Sequence, residues 1–287
     1  MKILVTGAYG QLGNEIEAIS KDFKQWKFVF TDVDKLDITD ETAVGRLIEN
    51  EQPDFLVNCA AYTGVDKAET DKEAAFKVNT LAPRILARQT KKVNARMIHI
   101  STDYVFNGKG FRPYSETDAT MPLGVYGKTK LEGEQNCLRE NHQAIIIRTS
   151  WLYSAYGNNF VKTMLRLGNE RDKLNVVFDQ VGSPTYAGDL ALIVLEIIHR
   201  TEIESDSFIP GIYHYSNEGV ASWYDFAKAI FEFSGLQCDV FPVLSEAFPT
   251  VAKRPNYSVL DKTKIKTTFH CTIPYWKESL RRCIQKI

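Results

Sequence analysis

Apolar residues fall along this chain in short runs of two kinds, and the runs alternate. KILVT, KFVFTD, DFLVNCAA, ARMIHIST and QAIIIRTS are compact, largely β-branched runs of strand length. Between them lie longer segments of helical periodicity. One opens near Gly10, TDETAVGRLIENE stops before Pro53, and KEAAFKVNTLAPRILARQTKKV and GKTKLEGEQNCLREN follow. Pro83, inside the third, predicts a kink or a shift in packing. Strands that alternate with helices need helical crossovers, so the pattern predicts an α/β fold, a doubly wound parallel sheet covered on both faces.

Near Trp151 the alternation weakens. A helix at NNFVKTMLRLGNE, a strand at LNVVFD, a helix at GDLALIVLEIIHR, a strand at GIYHYSN, a helix at SWYDFAKAIFEFSG and a terminal helix from Trp276 are predicted. Together they imply a smaller α/β lobe leaning on the C-terminal edge of the sheet. The expected division is residues 1–150 for the sheet domain and 151–287 mainly for the second lobe, the two interleaved.

Composition narrows the chemistry. Lys+Arg (35) and Asp+Glu (36) nearly cancel, so the basic surplus that drives nucleic-acid binding is missing. Five scattered cysteines with no C-x-x-C pair argue against a disulfide framework or structural zinc, and for a reducing compartment. No histidine cluster announces a metal centre. The apolar run in MKILVTGAYG is too brief for a signal peptide, and LALIVLEII contains Glu196 and cannot span a bilayer. A soluble, cytoplasmic protein without membrane partners is expected.

VTGAYGQLG then places Gly7, Gly10 and Gly13 directly after the first strand and at the mouth of a helix. Glycines permit a tight turn and close backbone approach to a pyrophosphate, and a helix N-terminus offers free N–H groups to phosphates. The spacing is G-x-x-G-x-x-G, a variant of the usual dinucleotide fingerprint. Asp32 closes the second strand, where a carboxylate would accept from an adenosine ribose. Asp34 and Asp37 nearby could equally cap a turn; beside the glycines, the ribose role is preferred.

VYGKTKLEGE sets Tyr126 and Lys130 one helical turn apart, so phenol and ammonium share a face. A nearby cation favours the phenolate and brings a phenolic proton into useful range. In open α/β sheets ligands bind beyond the carboxyl ends of the strands. NCAAYTG and STDY end the third and fourth strands, so Ser101 or Thr102 could supply a hydroxyl to a substrate oxygen.

TGAYGQLG, NCAAYTGVDKAE, ISTDYVFNG and YGKTKLEGE together resemble the extended short-chain dehydrogenase/reductases, and within them the dTDP-4-dehydrorhamnose reductases. The likeness continues through RTSWLY, GNNFVKTMLRL, DQVGSPT and KRPNYSVLD, so it spans nearly the whole chain. It implies a Rossmann-type domain using NADPH or NADH. The expected reaction is reduction of the C4 ketone of dTDP-4-dehydro-6-deoxy-L-mannose to dTDP-L-rhamnose. Thr102, Tyr126 and Lys130 would be the catalytic set. Gly7, Gly10, Gln11, Leu12 and Gly13 would line the pyrophosphate; Asp32, Asp37 and Ile38 the adenosine; and Ala60, Ala61, Tyr62 and Thr63 the cofactor further along. Thr102, Asp103 and Trp151, with Asn159 and Arg254, would contact the dTDP-sugar. Some relatives are magnesium-linked dimers. Glu15 matches one of their glutamates and Asp189 lies near, not at, another, so no metal is carried over and a homodimer is left open. Related dehydratases carry a glutamate where this chain has Tyr104, which disfavours elimination of water. Related epimerases usually have a larger C-terminal lobe. A non-catalytic subunit of reductase-like fold, such as the methionine adenosyltransferase beta subunit, is the rival from another class.

Overall fold

The computed structural model describes residues 1–287. The five expected strands form as β1 (Lys2–Thr6), β2 (Lys27–Thr31), β3 (Phe55–Asn58), β4 (Arg96–Thr102) and β5 (Ile145–Thr149). All pair in parallel in the order β2-β1-β3-β4-β5, and the strand Gly211–His214 adds beyond β5. The chain therefore goes to one side of β1 for β2 and to the other for β3. That reversal opens a crevice above the carboxyl ends of β1 and β3.

Helices α1 (Gln11–Ser20) and α2 (Glu41–Glu51) follow β1 and β2. Asp40 caps α2, its Oδ1 accepting the N–H of Thr42 at 2.9 Å and of Ala43 at 3.0 Å. After β3 come the short helices α3 (Val65–Ala68) and α4 (Lys72–Phe76), then α5 (Ala82–Lys92). The disturbance expected at Pro83 appears just before it, as a π-helical turn over Lys77–Leu81, and Pro83 sits in the first turn of α5. Helix α6 (Val125–Glu140) leads into β5.

Residues alternate across the buried strands, giving two cores. Ile3, Val5, Phe55, Val57, Ile98, Ile145 and Ile147 face Leu12 and Ile16 of α1. Leu4, Leu56, Met97 and Ile146 face Val44, Ile48, Leu86 and Cys137 of α2, α5 and α6. Two elements that chain order placed in the smaller lobe lie in this main layer. Helix α7 (Phe160–Glu170) stays in the second part, but the next, α8 (Ala187–Ile203), packs Leu190, Val194, Ile197 and Ile198 into the first core. Gly211–His214 aligns with Ile145–Arg148 as the sixth strand of the sheet. Both segments bury mainly apolar side chains, so packing on a large sheet satisfies them, whereas periodicity says nothing about which sheet a late strand joins.

A third core gathers Val161, Met164, Leu174, Phe226, Ile230, Trp276 and Leu280. They come from α7, from helices α9 (Trp223–Ser234) and α11 (Trp276–Ile284), and from the parallel pair Lys173–Val177 with Asp239–Val243. Helix α10 (Thr263–Phe269) packs Ile265 and Phe269 on the first core. No helix is long and apolar enough to cross a membrane.

Candidate active site

A cleft of about 800 Å³ lies over the reversal point of the sheet. Its floor is the glycine turn. Gly7 has φ +70°, and a Cβ there would sit 2.5 Å from the Ala60 nitrogen. Gly13 is equally constrained, since its Cβ would lie 2.4 Å from the Gly7 oxygen. It is buried inside α1 and lets the turn close without itself facing the cleft. Gly10 is the N-cap of α1 and supplies no side-chain cap, so the first N–H groups of the helix point towards the cleft unmet. Gln11 and Leu12 complete this wall. A backbone cradle that a Cβ would fill, under an uncapped helix start, fits a dinucleotide pyrophosphate.

Further along, Asp32, Asp37 and Ile38 line one end of the cleft. Asp32 Oδ2 accepts the Tyr9 N–H and Oδ1 the Val33 N–H, each at 2.8 Å, tying the end of β2 to the glycine turn. Asp37 is held in its own turn by the Thr39 hydroxyl and N–H, which keep its carboxyl below the usual range. Ala60, Ala61 and Thr63 form the opposite wall. Tyr62 is absent from it. Its backbone is clamped on both sides by buried Asn79 from the π-helical turn, at 2.9 and 3.1 Å, and its hydroxyl bonds Asp71.

Thr102, Asp103, Tyr126 and Lys130 converge at the centre. Tyr126 is half-buried in the cleft wall; desolvation pushes its phenol up, and the neighbouring Thr102 hydroxyl opposes that rise. Lys130 Nζ donates to the Ile100 carbonyl at 2.7 Å, and burial lowers it to about 8, with the Glu134 charge opposing. The sequence spacing suggested that the ammonium eases ionisation of the phenol. In this arrangement the Thr102 hydroxyl has that effect on the phenol, and the Lys130 ammonium bonds the Ile100 carbonyl of β4. Asp103 is 3% exposed, and burial pushes its carboxyl up to about 7. Its Oδ1 accepts the Thr102 hydroxyl at 3.0 Å, while Oδ2 has no partner.

Two residues assigned to substrate contact have other partners. Asn159 caps α7 through Oδ1, and its Nδ2 bonds Gln11 Oε1 at 3.0 Å and the Ser154 carbonyl at 2.7 Å; Gly157 and Asn158 line the cleft instead. Arg254 stands behind the wall, donating to the Tyr104 hydroxyl at 3.1 Å and to Asp66 at 2.6 Å. Tyr104, braced in this way, meets Tyr126 edge to face at 5.4 Å. Trp151 does line the cleft, in a left-handed conformation (φ +48°) and stacked on Trp223 at 3.6 Å. That conformation costs roughly 1–2 kcal/mol, and the stack across to α9 holds it.

Sequence reasoning missed Trp223, Asn79 and Glu134. Glu134 stands one turn beyond Lys130, 1% exposed, in a bidentate pair with Arg148 of β5 (2.7 Å), and it also accepts the Ser101 hydroxyl. Its spacing was visible in YGKTKLEGE; its partners were not. Glu15 accepts the Ser154 hydroxyl at 2.7 Å and faces Lys286 at 3.7 Å, while Asp189 is met by Asn217, Ser279 and Arg282.

Comparison with known proteins agrees with this geometry. The profile of the RmlD substrate binding domain matches residues 1–287. The chain is 42% identical to the dTDP-4-dehydrorhamnose reductase of Aggregatibacter actinomycetemcomitans, over 98% of this chain and 97% of that one. It superposes on the dTDP-4-dehydrorhamnose reductase structure from Clostridium acetobutylicum with a TM-score of 0.94 at 45% identity, covering 99% of both chains. The Bacillus anthracis dTDP-4-dehydrorhamnose reductase, solved in complex with NADP, gives 0.94 at 38% identity, covering 100% of this chain and 99% of that one. A chain matched from end to end by this family's profile, and by relatives well above 30% identity, belongs to the dTDP-4-dehydrorhamnose reductase family.

Proposed function

We propose that this protein reduces the C4 ketone of dTDP-4-dehydro-6-deoxy-L-mannose to give dTDP-L-rhamnose, using NADPH or NADH. The observation that carries the reading is the meeting of Tyr126 and Thr102 on the same cleft as the glycine cradle. The nicotinamide cofactor, when bound, supplies the hydride. The backbone of Gly7 and Gly10 and the start of α1 would hold its pyrophosphate, and Asp32 would accept from its adenosine ribose. Charge develops on the C4 oxygen as the ketone is reduced, and the Tyr126 phenol gives its proton there. Thr102 orients that phenol and stabilises it once ionised. Lys130 keeps a buried positive charge below the reacting centre, and Trp151 offers a rigid apolar wall to the deoxysugar.

Elimination of water, the chemistry of the related dehydratases, would need a second acid–base group beside Tyr126. Tyr104 occupies the place of the dehydratase glutamate with its hydroxyl bonded to Arg254, so the only carboxyl nearby is that of Asp103, which is engaged by Thr102. Positioned acid–base catalysis contributes roughly 10²–10⁴-fold. Tyr126→Phe is therefore expected to lower kcat by at least ~10²-fold with cofactor affinity little changed. Oxidation of NAD(P)H with the keto sugar nucleotide, with the product identified, is the measurement. Near-normal turnover in Tyr126→Phe would remove the phenol from the proton-donor role.

A further inference from the structure

We propose that Asp103 is a positioning residue that sets the direction of the Thr102 hydroxyl, and so decides whether Tyr126 aims its proton at the substrate or at Thr102. The inference rests on the reductase reading and concerns the regulation of the same site.

Counting donors leads to it. A hydroxyl has one proton and two lone pairs, and an ionised carboxylate only accepts. Thr102 Oγ1 donates to Asp103 Oδ1 at 3.0 Å and accepts the Tyr104 N–H at 3.2 Å, and it lines the same cleft as the neighbouring Tyr126 phenol, within reach of it once substrate is bound. The Tyr104 N–H takes one lone pair. With Asp103 ionised, the Thr102 proton goes to Oδ1, and the second lone pair is left facing Tyr126. The phenol then donates to Thr102, and its proton is directed away from the substrate. A protonated Asp103 reverses the chain. Its O–H donates to Thr102, the Thr102 O–H turns to the phenol oxygen, and the phenol proton is free for the C4 oxygen. On transfer the Tyr126 O–H bond breaks and the C4 O–H bond forms. The phenolate left behind accepts the Thr102 hydrogen bond until solvent returns a proton.

The surroundings suit a neutral acid. Asp103 is 3% exposed, one of its oxygens has no partner, and burial lifts it to about 7. No cation bonds it: Arg254 is turned to Tyr104 and Asp66, and Lys130 to the Ile100 carbonyl. The groups facing it are Thr102 and Tyr104 on its own segment, Tyr126 from α6, and the Ser258 hydroxyl, which favours the ionised form. Its charge, when present, raises both phenols further.

The test is the pH profile of kcat for keto-sugar reduction in the wild type, Asp103→Asn, Thr102→Val and the double variant. Wild-type kcat is expected to fall as pH rises through neutrality. Asp103→Asn, whose amide can donate to Thr102 at every pH, should lose that fall, and Thr102→Val should lose it too. Because the two residues act as one unit, adding Asp103→Asn to Thr102→Val should change kcat by less than ~2-fold. The idea is overturned if Asp103→Asn raises KM but keeps the wild-type pH fall, or if the two substitutions multiply independently. Difference infrared spectroscopy on the substrate-free wild type needs no variant to fold: a buried carboxylic-acid band should disappear across neutral pH, and ionisation well below it would also overturn the inference. Failure to oxidise NAD(P)H with the keto sugar at any pH would instead sink the reductase reading, and the infrared titration would still judge Asp103.

Discussion

Lys130 holds an ammonium where water scarcely reaches, 2% exposed, and its pH behaviour follows from that. An unfolded lysine keeps its proton to about 10.5, whereas the folded one releases it near 8. Between those values the unfolded chain binds more protons, so folding stability rises with pH; below about 8 both states are charged and the full burial penalty applies. The penalty is on the order of 3 kcal/mol. Lys130→Met should therefore lose catalysis yet melt above the wild type at neutral pH, with an advantage that fades towards pH 10.5. Melting temperatures of both proteins across this range check it; a variant less stable throughout would mean that Glu134 fully compensates the charge. Asp32 carries a second prediction at this scale. Its two oxygens already accept backbone N–H groups, each keeping a lone pair for a ribose hydroxyl, and no arginine follows it to receive a 2′-phosphate. NADH should be accepted at least as well as NADPH, and Asp32→Ala should shift preference towards NADPH by about tenfold, or ~1.4 kcal/mol. Catalytic efficiencies strongly favouring NADPH in the wild type would show that Asp32 does not face the ribose.

Helix α6 presents one stripe to the sheet: Tyr126, Lys130, Glu134 and Cys137. Its first turn carries the proposed proton donor, and its third anchors the helix through the Glu134–Arg148 pair, with Ser101 joining from β4. Arg148 also lies over the Phe106 ring at 5.2 Å. Arg148→Met would leave a carboxylate buried without its cation, and a loss of about 3–5 kcal/mol is expected. Glu134→Leu combined with Arg148→Met should recover much of it. Urea unfolding of the three proteins checks this, and equal losses in single and double variants would show that packing dominates. The same helix shows what was legible in the chain. The Tyr126–Lys130 spacing, the glycine turn and the alternating strands were readable because they are local. Arg148, inside the apolar run AIIIRTS, gave no sign of its partner, since the pairing depends on how α6 crosses β5. Asn159 and Arg254 were placed by resemblance alone, and their side chains turned out to brace neighbours. The stack of Trp151 on Trp223 joins residues far apart in sequence, which no periodicity reports.

Across the whole molecule, the parallel sheet is completed by its last part. Strand Gly211–His214 covers the edge of β5, and α8 closes the core over Ile3, Val5 and Val57. A chain ending at Ser150 would expose that face and that edge together. It is expected to lack cooperative unfolding and to bind hydrophobic dye, although it carries every residue of the glycine turn; a sharp thermal transition in the fragment would show that the five strands suffice. On that expectation the division at residue 150 marks where the alternation weakens, and the folding unit would run past it. Synthesis makes this a matter of time. At roughly 5–20 residues per second, about 10–40 s of translation separate the start of β1 from the arrival of α8 and the sixth strand. From the completion of β5 to that of the sixth strand, roughly 3–13 s of that time, the nascent chain holds an unfinished parallel sheet with an open edge, the kind of surface that recruits chaperones and seeds aggregation. Slow codons between Ser150 and Gly211 would lengthen that exposure, and faster decoding there would shorten it.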